Sequence, residues 1–297
     1  MRILRTVAEA QTACTQSRAG GKRLGLVPTM GALHEGHLSL VRSARAQCDA
    51  VAVSIFVNPL QFGPNEDFTR YPRTFDQDCG KLEAAGVDFV FSPSPEEMYG
   101  AAGQRAAATF VEVPVLSTLL EGRTRPGHFR GVTTVVSKLF HIIGPDFAYF
   151  GQKDAQQAVI IRRMVRDLNL PVQIVVCPIV READGLAMSS RNVYLDAEHR
   201  RAATVLHRAL ARIQSLAEGG ELNASVLAEA GSQTIAEERL ARLDYLEVVN
   251  QQTLESVADI GHGALVLVAA YFGPTRLIDN LVLPSSVQPP VARPPES

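Results

Sequence analysis

Two histidines, His34 and His37, stand three residues apart in the stretch PTMGALHEGHLSLV, residues 28–41, with Gly36 between them and Gly31 just upstream. The residues that follow, 37–47, space Leu38, Leu40, Val41 and Ala44 as a helix does, so the pair sits at a helix mouth. A helix N-terminus offers unpaired N–H groups and a partial positive charge, and binds phosphate readily. Gly31 lets the backbone come close to a ligand, and three-residue spacing puts both imidazoles on one face of a turn. The chemistry this suits is a nucleoside triphosphate attacked at its α-phosphate while the histidines stabilise developing charge. The plainer alternative is a capping loop whose histidines only hydrogen-bond, the commoner meaning of a lone H-x-x-H. Zinc is a weaker reading, because H-x-x-x-H is the better ligand spacing on a helix.

These residues need elements to hold them. Residues 24–27 read as a short buried strand ended by Pro28, and 50–57 (AVAVSIFV) as a central parallel strand buried on both faces. A helix is expected over 75–86, a strand over 87–91, a helix over 131–143, a strand over 146–150, a helix over 155–169 and a strand over 172–180. This alternation predicts an α/β fold, a doubly wound parallel sheet of Rossmann-like type. In such sheets ligands lie beyond the carboxyl ends of the strands. Polar stretches follow the strands repeatedly: PTMGALHEGH, NPLQFGPNED, GQKD and READGLAMSSRN.

After Arg191 the texture changes to helical stretches at about 196–217 and 223–239, then strand-like runs at 243–249, 264–272 and 276–283. The expected organisation is a nucleotide-binding domain over 1–184, a smaller C-terminal α+β lid domain over 185–283, and a Pro-rich disordered tail over 284–297.

The chain has 297 residues, 46% hydrophobic and 20% charged, ample for a folded core. A net charge of −2 and no long basic segment argue against a nucleic-acid partner. No apolar run is long enough for a membrane span. Arg5 and Glu9 interrupt the N-terminal apolar run, a poor signal peptide. Cys14, Cys48, Cys79 and Cys177 are scattered without a C-x-x-C pair, as in a reducing cytoplasm.

His34-Glu35-Gly36-His37 resembles the HIGH signature of the nucleotidyltransferase superfamily. Five stretches narrow this: PTMGALHEGH at 28–37, SIFVNPLQFGPNEDFTRYPRT at 54–74, GHFRGVTTVVSKLF at 127–140, YFGQKDAQQ at 149–157 and VREADGLAMSSRN at 180–192. Together they closely resemble the pantothenate synthetase family, from about residue 23 to 283. The resemblance implies a ligase that joins pantoate to β-alanine with ATP, through a pantoyl-adenylate, releasing AMP and pyrophosphate and requiring magnesium (Mg2+). It also implies a homodimer built through the N-terminal domain. The alternative is a nucleotidyltransferase that stops at the adenylylated product.

By the same resemblance, Met30, Gly31, Ala32, Leu33, His34, Glu35, Gly36 and His37 wrap the ATP, with His37 and His34 catalytic. Gly151, Gln152, Lys153 and Asp154 form a second ATP segment, and Lys153 is counted with the catalytic residues. There Lys153 is a mobile point charge suited to a phosphate. Met188, Ser189, Ser190 and Arg191 occupy the place of the KMSKS signature, and Val180 offers backbone contacts to adenine. Gln61 and Gln157 are the pantoate amides, since an amide both donates and accepts. Asp78 is the candidate magnesium neighbour, with Gln77 where some members carry a second acid. The stretch 62–70 is a candidate lid over the adenylate.

Overall fold

Six parallel strands form the main sheet: β1 (Arg2–Leu4), β2 (Leu24–Thr29), β3 (Ala50–Ile55), β4 (Phe89–Phe91), β5 (Phe147–Gly151) and β6 (Gln173–Cys177). Their order is β1-β4-β3-β2-β5-β6 in a computed structural model that describes residues 1–64, 66–100 and 109–285. β3 shows why the sheet is covered on both faces. Ala50 and Ala52 join one hydrophobic cluster, with Val132, Val136, Leu139 and Ile161. Val51, Val53 and Ile55 join another, with Leu40, Val41, Ala44 and Leu82. Alternate residues of one strand thus enter opposite cores, as a doubly wound sheet requires.

The covering helices are α1 (Val7–Arg18), α2 (Glu35–Gln47), α3 (Phe75–Ala84), α4 (Pro95–Tyr99), α5 (Glu121–Thr124), α6 (His128–Ile143) and α7 (Ala155–Asp167). Strand order reverses at β2, which has β3 on one side and β5 on the other. The loops leaving β2 and β5 are the histidine loop and the Gly151–Asp154 segment, so both start at the switch point where such sheets place ligands.

Several expectations are corrected. β2 runs through Pro28 to Thr29 instead of stopping before the proline. Pro28 pairs with Ser54 of β3, whereas pairing with β5 covers only Gly25 and Leu26, so a missing N–H is tolerated there. β6 ends at Cys177, before Pro178, which leaves Val180 three residues past the strand. α6 begins one turn earlier than expected, after Gly127 at φ 82°. β1 and α1 escaped the sequence reading. The helical stretch 196–217 is two helices, broken where the Thr204 hydroxyl donates to the Arg201 carbonyl at 2.8 Å.

The chain divides into two compact units: Met1–Glu182 with Met188–Ser190, and Ala183–Ala187 with the chain from Arg191 onward. The second unit holds α8 (Ala197–Ala202), α9 (Val205–Glu218) and α10 (Ala224–Ala236), then an antiparallel sheet of β7 (Ala241–Val249), β8 (Ala264–Phe272) and β9 (Thr275–Leu283). Its core sets Leu206, Leu210 and Ile213 against Val266, Val268 and Phe272. The expected disordered tail lies outside the described residues from 286 on. Among the described residues no helix is long and apolar enough to cross a membrane.

Candidate active site

The histidine loop leaves β2 under tension that neighbouring groups absorb. Thr29 donates to the Ser54 carbonyl at 2.7 Å and accepts from Gly31 N–H at 3.2 Å. Gly31 (φ 82°) and Ala32 (φ 50°) are then successive left-handed residues, the second without glycine's freedom. Asp78, fully buried on α3, pins them. Its Oδ2 accepts from Ala32 N–H at 2.9 Å and from the Thr74 hydroxyl at 3.1 Å, and its Oδ1 accepts from Leu33 N–H at 2.8 Å. One turn further along α3, Lys81 Nζ donates to the Leu33 carbonyl at 2.6 Å. Lys81 was missed in the sequence. The signal available was the three-residue spacing that puts Asp78 and Lys81 on one helix face.

This arrangement corrects the expectation for Asp78. A carboxylate with no exposed surface and both oxygens bonded to the loop does not fit a magnesium ligand, and among the described residues no cluster of His, Cys, Asp and Glu could hold a metal. Asp78 is a loop anchor.

His34 is the N-cap of α2: its Nδ1 accepts from Gly36 N–H at 3.2 Å, and His37 Nδ1 accepts from His34 N–H at 3.3 Å. The capping alternative is therefore real, but it uses only one nitrogen of each ring. An Nδ1 that accepts is bare, so the proton of each neutral imidazole lies on Nε2, which is left as a donor. Gly36 makes this possible. A Cβ there would stand 2.9 Å from Cε1 and Nδ1 of His34, so any other residue would push the ring off its cap.

Both rings are neutral at physiological pH. Burial, then the charge of Lys153, holds His34 down at about 4. Burial, then His34, Lys153 and Lys81, holds His37 at about 3. Lys153, in the 3-10 turn Gln152–Asp154 after β5, thus acts on the same spot as the loop from β2. Its Nζ lies 3.6 Å from Asp154.

Met30 joins the loop to the turn Pro59–Gln61. Its sulfur accepts from Gln61 Nε2 at 3.0 Å, while Gln61 Oε1 accepts from Asn58 Nδ2 at 3.1 Å. Asn58 was not singled out from sequence. It is buried, caps this turn and accepts from Tyr99 OH at 2.7 Å, so it fixes the amide of Gln61. Gln157 is half-buried on α7, and its neighbour Gln156 is the structural glutamine, bonded to the backbone of Leu116, Leu119 and Glu121. Glu35 turns its carboxylate to Arg42, so only its backbone faces the loop. Leu33 is buried core.

The segment 188–190 returns to the first unit. Met188 N–H donates to the Val180 carbonyl at 3.0 Å, and a Cβ on Gly36 would come within 3.9 Å of Met188 Cβ. Ser190 Oγ is 3.1 Å from Tyr71 OH. Tyr71 and Phe68 pack edge-on against Phe62, so the stretch expected as a lid carries its own small aromatic core. Arg191 begins again in the second unit.

A doubly wound parallel sheet, with a strained glycine loop, a histidine-capped helix mouth and a lysine at its switch point, defines a nucleotide-binding α/β protein. The chain belongs to the pantoate-beta-alanine ligase family, whose model matches residues 2–282. It is 64% identical over 283 residues to the pantothenate synthetase of Koribacter versatilis (strain Ellin345), covering 95% of this chain and 96% of that protein. The crystal structure of pantothenate synthetase from Thermus thermophilus superimposes with a TM-score of 0.89 at 48% identity, covering 95% of this chain and 99% of that one. Pantoate-beta-alanine ligase from Francisella tularensis, complexed with beta-gamma ATP and beta-alanine, does so with a TM-score of 0.77 at 34% identity, covering 95% and 97%.

Proposed function

We propose that this chain condenses pantoate with β-alanine to give pantothenate, an ATP-dependent step of pantothenate and coenzyme A biosynthesis, and that the loops described above carry it. The observation that bears most weight is the pair of neutral imidazoles whose Nδ1 atoms are committed to the cap. Their Nε2–H groups are preorganised donors that need no proton change to meet negative charge.

In the first half-reaction a pantoate carboxylate oxygen attacks the α-phosphorus of ATP. The bond to the bridging oxygen breaks, and pyrophosphate leaves with its electron pair. His34 and His37 stabilise the charge on the transferring phosphoryl group, helped by the N–H groups of α2. Lys153, Ser189, Ser190 and Arg191 neutralise the pyrophosphate. Closure of the second unit, bringing Arg191 to the leaving group, belongs to the same reading. Small-angle scattering with and without a nonhydrolysable ATP analogue reads it. Met30–His37, Gly151–Asp154, Val180 and Met188 line the nucleotide, and Gln61 and Gln157 orient pantoate. In the second half-reaction the β-alanine nitrogen attacks the acyl carbon, the amide forms, AMP departs and the nitrogen loses a proton. The protein's share is mainly positioning and electrostatics.

Magnesium enters this reading with the nucleotide, held by phosphates and water, a common arrangement for that ion. A homodimer and a cytoplasmic location follow from the family resemblance. Pyrophosphate release on adding ATP and pantoate alone, with AMP appearing only when β-alanine is added, is the expected result. An adenylylated product that β-alanine never converts to amide would favour the transferase alternative.

A further inference from the structure

The turn that carries Gln61 is clamped from a second side. His128, the first residue of α6, places its Nδ1 2.8 Å from the Gln61 carbonyl oxygen. A carbonyl only accepts, so His128 Nδ1 holds the proton and Nε2 is bare. Nε2 stands 3.1 Å from an Arg125 guanidinium nitrogen, which donates to it. Arg125 then forks onto Glu66, Nε to Oε1 at 2.9 Å and Nη2 to Oε2 at 2.5 Å, with the two side chains only 18% and 23% exposed. This bidentate geometry fixes the guanidinium in direction as well as distance.

The clamp closes on a tight backbone approach. A Cβ on Gly131 would lie 2.3 Å from the Leu60 carbonyl oxygen and 2.6 Å from Gln61 N, so α6 is pressed against the turn. Asn58 Nδ2 ties the two together through the Gly131 carbonyl at 3.1 Å. Burial and the neighbouring Arg125 charge keep His128 neutral, down at about 4, the state in which one ring nitrogen donates while the other accepts. A chain of directed bonds therefore runs from the 62–70 segment to one carbonyl, that of the residue assigned to pantoate.

We infer that His128, braced by Arg125 and Glu66, is a positioning residue for pantoate: it fixes the main chain of Gln61 so that the side-chain amide meets the substrate. The inference rests on the reading of Gln61 as a pantoate residue. Small displacements of an orienting group cost rate or affinity for the substrate it orients, and leave other substrates largely untouched.

The test compares His128→Ala, His128→Asn, Gln61→Ala and the double variant His128→Ala/Gln61→Ala in the full chain, with folding checked by circular dichroism. His128→Ala should raise the pantoate KM about tenfold or more while the ATP KM stays within about threefold. His128→Asn, whose amide N–H can take the place of Nδ1–H, should recover most of that loss. The double variant should be no worse than Gln61→Ala, because residues acting through one another are not additive. Equal rises in both KM values, no rescue by asparagine, or additive losses would overturn the positioning role while leaving Gln61 as a pantoate residue. A Gln61→Ala variant with unchanged pantoate KM would instead fail the underlying assignment, and this inference with it. Should His128→Ala not fold, Glu66→Gln, which loosens the outer end of the fork, carries the same comparison of KM values.

Discussion

His34 and His37 hold their ring centroids 4.1 Å apart, and each Nδ1 is taken by a backbone N–H of the turn they share. Capping and charge stabilisation are therefore two uses of one ring. Asparagine also caps well but has no Nε2 donor. His34→Asn should keep the melting temperature near that of the native chain and slow adenylate formation by about 10²–10³, the usual effect of losing one preorganised donor. Pyrophosphate exchange with a parallel thermal melt checks both halves. A large melting loss at normal rate would leave capping as the only role.

The same rings set an acid sensitivity. Unfolded histidine titrates near 6.5, while the folded rings of His34 and His37 are held down at about 4 and about 3. Between these values the unfolded chain binds protons that the folded chain refuses. Stability is then full above about pH 6.5 and falls as pH drops towards the folded values. Urea midpoints measured from about pH 7 to about 4.5 should fall less steeply for His34→Asn than for the native chain. Parallel slopes would mean that the ring is not held neutral by the fold.

Gly36→Ala tests the spacing inside the motif. Its Cβ would meet the His34 ring at 2.9 Å, so the ring must leave its cap. A folded protein with adenylate formation lowered about 10²-fold is expected, by the same donor magnitude. A rate within a few-fold of native would show that the ring finds another productive position.

Asp78→Asn separates an anchor from a metal neighbour. Two backbone N–H groups and a hydroxyl lose a charged acceptor, which should destabilise by about 1.5–3 kcal/mol. The magnesium concentration for half-maximal rate should stay unchanged. A higher magnesium requirement at native stability would reverse the assignment.

Lys153→Ala should cost about 2.7–4 kcal/mol of transition-state stabilisation, seen as lost pyrophosphate exchange. It should also raise the His34 pKa, since the lysine charge is part of what depresses it. NMR titration of the ring reads this independently of turnover, and an unmoved pKa would separate the two groups.

Residue order by itself determined the alternating architecture. A continuous apolar run such as Ala50–Ile55 between helical spacings has few ways to bury both its faces, and a two-sided parallel sheet is the usual one. The same order showed the histidine pair, the lysine loop and the serines, because each follows a strand and local motifs survive in linear text. What sequence could not show is how the nitrogens of one ring are divided, that Asp78 spends its charge on a backbone loop, or that Lys81, Asn58 and His128 act beside these motifs. Those outcomes rest on contacts between segments tens of residues apart, such as Asp78 with Ala32 and Leu33 and His128 with Gln61. Hydrogen-bond direction, burial and left-handed backbone exist only once those segments meet, so tertiary structure alone decided them.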